Sequence, residues 1–267
     1  MSLDSFVISL KTQYKRHQHI ENIFKNLNIQ FSFFDAINTS QVDCFMQEHA
    51  LKITAPLLSE GEVACYLSHF CLWKKVVDNN LSYIAIFEDD IYLANDSYEL
   101  LTDLNWLPDG FDVIKLETMH ERTFVNIGSK LIGNRRLLKM GSSHMGAAGY
   151  LLSYKGALKL IHETEAEGIK GPVDHLIFDW LISDKNVYLV DPAICIQDKV
   201  CNETKPTFDS VLEPGRSQTL KPTNEVKVKP KGISKIKREI RRVNNQVVLY
   251  SSMFARGYRE KLIKYEE

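Results

Sequence analysis

Short apolar runs alternate with segments of helical periodicity along most of the chain, and this rhythm constrains the fold more than any other feature. Residues 6–10 and 82–87 are apolar runs of strand length, whereas the apolar side chains between residues 20 and 27 recur at helical spacing. Strands that alternate with helices favour an α/β fold with an open, mixed but mostly parallel sheet and helices on both faces. Ligands of such sheets bind at the carboxyl ends of the strands.

The remaining elements continue this alternation. Ser59 and Glu62 match a capping box, in which each side chain satisfies a free amide of the other residue, so a long helix is expected over residues 61–78. Pro172 suits the first turn of a later helix. Further strands are expected over 30–35, 111–116, 147–152 and 186–190, the last being the final strand, with part of a hairpin at 136–140 and a helix over 156–165.

The size and apolar content of the chain fit a folded enzyme. Its 267 residues, 44% of them hydrophobic, can bury a full core in one large domain or in one domain with an appendage. The five cysteines are odd in number and include no C-x-x-C pair, so they are expected to be reduced and buried. The sequence begins without a signal-peptide pattern and has no stretch approaching the roughly 18 uncharged apolar residues of a membrane span, so the expected location is the cytoplasm.

Charge is distributed unevenly along the chain. Residues 221–267 carry 13 Lys/Arg and 5 Asp/Glu, so a basic segment follows an acidic body. Between residues 233 and 247, apolar side chains recur at spacings of three and four with basic residues on the other faces, which predicts a basic amphipathic helix. Such a helix can lie on an anionic membrane surface, or pack on the body or on the second subunit of a homodimer. The expected regions are an α/β catalytic domain over 1–211, a linker or surface loop over 212–232 and a basic helical tail over 233–267.

Three consecutive carboxylates, Glu88, Asp89 and Asp90, follow the apolar run that ends at Phe87. Like charges this close repel one another unless a cation joins them. Mg²⁺ and Mn²⁺ take oxygen ligands of this kind, often with the phosphate oxygens of a nucleotide. Because side chains alternate along an extended chain, we expect Asp90 as the direct metal ligand, Glu88 as its partner through water or a sugar, and Asp89 on a ribose or a backbone amide. The alternative is that the aspartates only cap a turn.

Two common nucleotide-binding patterns are missing from the sequence. It has no G-x-G-x-x-G and no G-x-x-x-x-G-K-[ST], which disfavours a dinucleotide dehydrogenase and a P-loop ATPase. Aromatic and basic residues are not interleaved in the C-terminal segment as a stacking platform requires, so no nucleic-acid partner is expected. Clustered acids at strand ends also serve phosphoryl chemistry, so a metal-dependent phosphohydrolase stays open as a function.

Several short motifs occur in the same order as in one enzyme family. They are FVISL at 6–10 with Arg16 after it, FDAI at 34–37, LSEGEVACYLSH at 58–69, IFEDDI at 86–91, FDVIKL at 111–116, GYLLS at 149–153 and PVD at 172–174. In these motifs the chain resembles glycosyltransferase family 25, which includes bacterial lipooligosaccharide galactosyltransferases and is related to the collagen galactosyltransferases. The resemblance implies a GT-A-like fold and inverting transfer of a hexose, galactose or glucose, with Mn²⁺ (or Mg²⁺) as cofactor. The implied partners are a UDP-sugar donor and a lipid-linked oligosaccharide acceptor. A non-catalytic sugar-nucleotide or glycan-binding protein stays open as an alternative to a transferase. If the basic tail lies on anionic lipid, the protein is expected to be peripheral on the inner face of the bacterial inner membrane.

Asp174 is the candidate catalytic base. A single inverting displacement needs a group that removes the acceptor hydroxyl proton opposite the leaving diphosphate, and a carboxylate suits that task. The resemblance assigns the role to Asp174 through the PVD motif. The alternative is that this side chain only stabilises a helix start through the helix dipole.

Four further side chains are candidates for donor binding through the first and fifth motifs. Ser9 belongs to the first strand, and Arg16 offers a guanidinium fork for uracil or phosphate, the alternative being a solvated arginine on a helix face. Asp112 and Glu117 lie at the strand predicted over 111–116, and either could touch the donor sugar. The resemblance favours Asp112.

Two histidines complete the predicted site. His69 lies on the long helix, where the alternatives are a residue that orients the donor loop and a satisfied core histidine. His144 stands beside a run of small residues and is expected to reach the phosphates or the acceptor.

Overall fold

The centre of the computed structural model is an eight-stranded sheet. The structure describes residues 3–55, 58–126, 130–180, 186–202, 204–208, 248 and 250–267. In chain order the strands are β1 (Asp4–Ser9), β2 (Ser32–Asp35), β3 (Tyr83–Glu88), β4 (Ile91–Leu93), β5 (Val113–Lys115), β6 (Glu117–Thr118), β7 (Arg122–Asn126), β8 (Lys130–Ile132), β9 (Arg135–Lys139), β10 (Gly149–Ser153), β11 (Val187–Asp191), β12 (Cys195–Gln197) and β13 (Tyr258–Leu262).

The central sheet is open and mixed, and its order is β2-β1-β3-β10-β5-β11-β9-β8. The pairs β2-β1, β1-β3 and β5-β11 are parallel, whereas β10 and β9 are antiparallel to both of their neighbours. Six of the eight strands therefore point the same way. This architecture confirms the α/β fold with a mixed, mostly parallel sheet that the sequence predicted.

Alternate residues of β3 show why the sheet carries a core on each face. Ile84 and Ile86 belong to one apolar cluster, whereas Ala85 and Phe87 belong to the other, and all four are fully buried. Because successive side chains of a strand point to opposite faces, this strand is stable only when it is covered on both sides.

Helices provide that cover. The α-helices are α1 (Tyr14–Asn26), α2 (Val42–Glu48), α3 (Glu60–Asp78), α4 (Ser97–Thr102), α5 (Tyr154–Glu167), α6 (Val173–His175) and α7 (Asp198–Cys201), with a 3₁₀ turn at Thr39–Gln41 and a π-helical turn at Leu176–Trp180. Trp73 of α3 and Leu160 of α5 pack on one face of the sheet, and Phe24 of α1 and Leu100 of α4 pack on the other.

The predicted capping box starts α3. The amide of Glu62 donates to Ser59 Oγ over 3.3 Å, and the amide of Ser59 donates to the Glu62 carboxylate over 3.0 Å. These bonds satisfy amides that a helix start leaves open. The helix then runs past one side of the central sheet and supplies much of one core.

The C-terminal segment departs from the sequence prediction. Strand 187–191 is not the last, because β12 joins β4 and β6 in a three-stranded sheet and β13 pairs with β7. Residues 250–255 are helical, but Tyr258–Leu262 is a strand and Ile263 is buried. The prediction of a helical tail that continues to residue 267 is therefore wrong for the last ten residues. The predicted linker at 212–232 and the basic stretch at 233–247 lie outside the described residues.

The structure also bears on the predictions for the cysteines and for membrane-spanning segments. All five cysteines are thiols, as expected. Cys44 and Cys201 are exposed and Cys65 and Cys71 are partly buried, so the prediction of burial is confirmed only for Cys195. In the described part of the chain, no helix combines the length and the apolar character needed to cross a bilayer.

Candidate active site

A cavity of about 440 Å³ opens at the carboxyl ends of β1 and β3. These strands pair in parallel with Ile8 opposite Glu88, so the residues that follow both strands meet at one edge of the sheet. Ser9, Arg16, Glu88, Asp89, Asp90 and Asp174 all line the cavity. The structure therefore brings together six of the predicted site residues.

Glu88 and Asp90 are two cavity carboxylates whose charged forms are disfavoured by their surroundings. Their side chains are 25% and 21% exposed and face the cavity. Burial, followed by the nearby carboxylate of Asp89, raises the pKa of Glu88 to about 7. Burial, followed by Glu88, raises the pKa of Asp90 to about 7. Such shifts report a pair that resists joint ionisation in the absence of a cation.

This pair fits a hard divalent cation. Within the described residues, Asp90 Oδ1 is buried without a hydrogen-bond partner. An oxygen that is shielded from water and unpaired is costly, and Mg²⁺ or Mn²⁺, which bind one or two carboxylates together with water and substrate phosphates, would satisfy it. The expected grouping of Glu88 with Asp90 thus has the donor atoms that such an ion requires.

Asp89 holds the loop around this pair. Its Oδ2 accepts from Ser9 Oγ over 2.6 Å, and its Oδ1 accepts from the guanidinium of Arg16. Arg16 is only 7% exposed and lies 3.6 Å from Asp90 Oδ2 as well. The alternative of a solvated Arg16 is therefore wrong. Asp89 binds these two side chains where a ribose or a backbone amide was expected, so its charge is already neutralised.

Asp174 lies at the start of α6 and faces the cavity. Its Oδ2 accepts from the amide of Gly146 over 2.9 Å, and its Oδ1 accepts from the amide of His175 over 3.0 Å. Gly146 has a φ of +90°, and a Cβ at this position would stand 2.6 Å from Glu117 Oε1. Glycine is thus required where the chain turns toward Asp174.

The structure removes Asp112 from the site. This residue precedes β5, so it lies at the amino end of a strand parallel in direction to β3, across the sheet from Glu88. Its fully buried carboxylate pairs with Lys159 over 2.6 Å and accepts from the amide of Asn186 over 2.8 Å. The preference for Asp112 over Glu117 as a donor-binding residue is therefore wrong, and Asp112 has a structural role.

Glu117 follows the carboxyl end of β5 and lies much nearer the cavity. Its carboxylate is buried behind Gly146, a lining residue, and accepts from the amide of Ala148 over 2.8 Å. Lys115 Nζ lies 3.3 Å away. Burial raises the pKa of Glu117, and Lys115 opposes that shift.

Neither histidine is exposed to the cavity. His69 is fully buried, with Nδ1 2.8 Å from the hydroxyl of Tyr150, and burial lowers its pKa to about 4. His144 is 1% exposed, and burial followed by Lys115 lowers its pKa to about 3. Both imidazoles are therefore neutral near pH 7. The burial of His144 does not support the prediction that it reaches the phosphates or the acceptor. His69 is buried, and its Nε2 lies 3.6 Å from Glu88 Oε1.

Sequence reasoning missed one segment of the site. Gln197, the last residue of β12, lines the cavity together with the next two residues, Asp198 and Lys199. Gln197 Nε2 donates to Glu88 Oε2 over 3.4 Å, and the amide of Asp198 donates to the carbonyl of Asp90 over 2.7 Å. Polar residues that follow the apolar run at 193–196 are the same signal that identified the acidic triplet, and it could have found this segment.

Comparison with known proteins identifies the family. The sequence model described as Glycosyltransferase family 25 (LPS biosynthesis protein) matches residues 2–177. The chain belongs to glycosyltransferase family 25. The matched region contains the acidic triplet and Asp174, whereas the segment 197–199 lies beyond it.

Curated relatives match most of the chain. The lipooligosaccharide biosynthesis protein lic2B of Haemophilus influenzae is 31% identical over 81% of this chain and 84% of that protein. The lacto-N-neotetraose biosynthesis glycosyltransferase LgtE of Neisseria meningitidis serogroup B is 36% identical over 73% of this chain and 74% of its own length. The lipooligosaccharide biosynthesis protein lex-1 of Haemophilus influenzae is 30% identical over 92% of both chains.

Proposed function

We propose that this family 25 chain is an inverting, metal-dependent hexosyltransferase that moves galactose, or glucose, from a UDP-sugar to a lipooligosaccharide or lipopolysaccharide acceptor. The observation that carries the proposal is the pair Glu88 and Asp90, two cavity carboxylates with raised pKa values and an unpaired oxygen, in the same cavity as Asp174. The relatives named for lipooligosaccharide biosynthesis support the acceptor class.

Donor binding follows from the charges around the cavity. Glu88 and Asp90 would hold Mn²⁺ or Mg²⁺, which when bound supplies positive charge to the diphosphate of the donor. Lys199 is an exposed cation on the cavity lining and adds a second positive charge. Asp89, neutralised by Arg16, keeps the loop in place while the donor binds.

Asp174 removes the acceptor proton. Inversion by one displacement needs a base on the side of the sugar opposite the diphosphate, and a carboxylate fixed in orientation serves best. The amides of Gly146 and His175 fix this carboxylate, and its position on the lining leaves it accessible to an acceptor hydroxyl. Asp174 can stabilise the start of a helix and also act as the catalytic base, so the two roles are compatible.

A donor screen tests the proposal. The protein is incubated with Mn²⁺, a soluble lipooligosaccharide fragment and each of several UDP-sugars, and the product is analysed by NMR for its anomeric configuration. We expect one UDP-hexose to be consumed with inversion. Release of sugar phosphate or inorganic phosphate without a glycoside would instead indicate a phosphohydrolase, and donor binding without turnover would indicate a binding protein.

Asp174→Asn tests the catalytic base. We expect transfer to fall by about 10²-fold or more while UDP affinity is retained, because only the proton acceptor is lost. Asp179→Asn is the matched control, since Asp179 is 38% exposed, lies nearby and pairs with His175. Loss of donor affinity in Asp174→Asn, measured by calorimetry, would assign Asp174 a binding role.

A further inference from the structure

Cys65, His69 and Glu88 bring a thiol, an imidazole and a carboxylate together at the wall of the cavity. Cys65 and His69 are four residues apart on α3 and share one face of that helix, which packs against the end of β3. Cys65 Sγ lies 3.9 Å and His69 Nε2 lies 3.6 Å from Glu88 Oε1. All three ligand atoms lie within 4.8 Å of one another.

The nitrogen of His69 that faces Glu88 is unsatisfied. His69 is fully buried, and among the residues the structure describes its Nε2 has no hydrogen-bond partner. Its Nδ1 is held by the hydroxyl of Tyr150 at 2.8 Å, and the same oxygen accepts from Trp73 Nε1 over 3.0 Å. A buried nitrogen without a partner is costly. A hydrogen bond on the other ring nitrogen is the usual support of a metal-binding histidine.

The distances approach those of a tetrahedral zinc site. Zn²⁺ bonds of about 2.0–2.3 Å place neighbouring ligand atoms about 3.3–3.6 Å apart. The measured distances of 3.9 Å and 3.6 Å to Glu88 Oε1 need a closure of only a few tenths of an ångström. The Cys65–His69 pair closes by movement of the Cys65 side chain, which lies on the cavity lining.

We propose that Cys65, His69 and Glu88 form a Zn²⁺ site whose fourth position opens to the cavity. Binding releases to solvent the thiol proton of Cys65 and any proton that Glu88 carries, while the imidazole stays neutral with its proton on Nδ1 toward Tyr150. A thiolate selects Zn²⁺ over Mn²⁺ or Mg²⁺, which prefer oxygen ligands. The site is therefore chemically distinct from the Glu88–Asp90 pair, although both use Glu88.

Sharing Glu88 makes the zinc site inhibitory. Zn²⁺ held by Cys65 and His69 withdraws Glu88 from Asp90, so donor turnover that depends on Mn²⁺ stops. This consequence rests on the proposed transferase function, whereas zinc binding itself does not. Binding and inhibition are therefore measured separately.

Co²⁺ titration of the metal-free full-length protein tests binding without any assay of activity. We expect one equivalent to produce a thiolate-to-cobalt charge-transfer band and intense visible bands of tetrahedral Co²⁺, both removed by Zn²⁺. Cys65→Ser and His69→Gln should each weaken binding at least tenfold, since even changes behind the ligands cost about 10–100-fold. Cys71→Ser is the matched control, because Cys71 is a partly buried thiol of the same helix. A charge-transfer band that survives in Cys65→Ser would overturn the proposal.

A second measurement needs no variant and so does not depend on how a variant folds. Wild-type protein is alkylated with iodoacetamide with or without Zn²⁺, and each cysteine peptide is quantified by mass spectrometry. We expect Zn²⁺ to slow modification of Cys65 at least tenfold and to leave the exposed Cys44 and Cys201 unchanged. Equal rates at Cys65 with and without Zn²⁺ would refute the site.

Inhibition by Zn²⁺ is measured last. We expect Zn²⁺ to stop Mn²⁺-dependent transfer, a chelator followed by Mn²⁺ to restore it, and Cys71→Ser to remain as sensitive as wild type. If no donor is turned over but Co²⁺ still binds through Cys65, the transferase proposal fails and the zinc site stands. If transfer proceeds but Co²⁺ shows no thiolate band, the zinc site fails and the transferase proposal stands.

Discussion

Asp90 and Asp112 both stand next to a buried strand, yet their carboxylates meet different surroundings. Asp90 follows the carboxyl end of β3 and faces a cavity, with a side chain that is 21% exposed. Asp112 precedes β5 and is neutralised by Lys159. The sequence shows two acids beside strands, but only the direction of the strands decides which of them reaches a ligand.

Substitution of these two aspartates should separate function from stability. We expect Asp90→Asn to abolish metal-dependent UDP-sugar turnover with little change in Tm, because a partly exposed charge that repels its neighbours is removed. We expect Asp112→Asn to lower Tm, since Lys159 loses its partner, while the folded protein keeps its turnover. Turnover assays and thermal melts of both variants make the comparison. Activity near wild type in Asp90→Asn would remove this residue from the metal site.

The raised pKa values of Glu88 and Asp90 predict how the stability of the metal-free protein depends on pH. Both folded-state pKa values are about 7, above the ordinary 4.5 and 3.8, so the folded protein retains protons that the unfolded chain releases. The free energy of unfolding should therefore fall as pH rises from about 4 to about 7, and level off above that. Mn²⁺ takes the place of those protons, so its stabilising effect should grow over the same range.

Thermal melts with and without Mn²⁺ at several pH values measure this effect. The double variant Glu88→Gln, Asp90→Asn should lose both the fall in stability and the growth of the Mn²⁺ shift, because neither amide titrates. A stabilisation by Mn²⁺ that is constant from about pH 5 to about pH 8 would contradict the shared site.

Among the helices and strands, the C-terminal strand β13 belongs to the folded body of the protein. β13 pairs with β7, and Ile263 after it is 1% exposed within the core. The backbone continues this docking, since Thr118 Oγ1 donates to the carbonyl of Ile263 and the amide of Ala193 donates to the carbonyl of Lys264, both over 2.7 Å. The basic composition of residues 221–267 suggested a separate tail, but one apolar side chain in this stretch completes a core.

Ile263→Ala should therefore destabilise the whole protein. Loss of a buried isoleucine costs about 2–5 kcal/mol. Lys264→Ala is the matched control, because Lys264 is exposed and its backbone bond to Ala193 is retained, so a change within about 0.5 kcal/mol is expected. Urea denaturation measures both variants. Equal stability of Ile263→Ala and wild type would show that β13 is not needed for the fold.

Over the whole molecule the charge is unevenly distributed, because acidic residues predominate before residue 221 and basic residues predominate after it. Lipid-linked acceptors lie in a membrane, and each basic residue near an anionic surface contributes on the order of 1 kcal/mol. The stretch 233–247 combines basic residues with apolar residues at helical spacing. We propose that it binds the protein to anionic lipid. Deleting residues 233–267 would also remove β13 and Ile263, so substitutions within the stretch are the better test.

Glutamine substitution in the basic stretch should weaken membrane binding. The changed residues are Lys235, Lys237, Arg238, Arg241 and Arg242, and the control changes Lys221, Lys227, Lys229 and Lys231. We expect the first set to reduce co-sedimentation with anionic vesicles much more than the control, and wild-type binding to weaken with salt, since surface attraction decays within about 8 Å at physiological ionic strength. If the wild-type protein does not co-sediment with anionic vesicles at either low or high salt, the membrane proposal is wrong.

Local patterns in the sequence were sufficient to predict most of the helices and strands and part of the candidate site. The spacing of apolar residues, the capping box at Ser59 and the acids after β3 each depend on a few neighbouring residues, so they can be read without the fold. They gave the α/β class, α3, and the placement of Glu88 and Asp90. β12 was missed because three residues carry too little periodicity to distinguish a strand from a loop.

The remaining features of the site depend on which strands become neighbours and in which direction they run. The parallel pairing of β1 with β3 buries Arg16 against Asp89, and the direction of β5 removes Asp112 from the cavity. Packing of α3 against the end of β3 sets His69 beside Glu88. These contacts join residues far apart in the chain, and their energies come from burial and charge pairing in the folded state, which no local pattern of residues encodes.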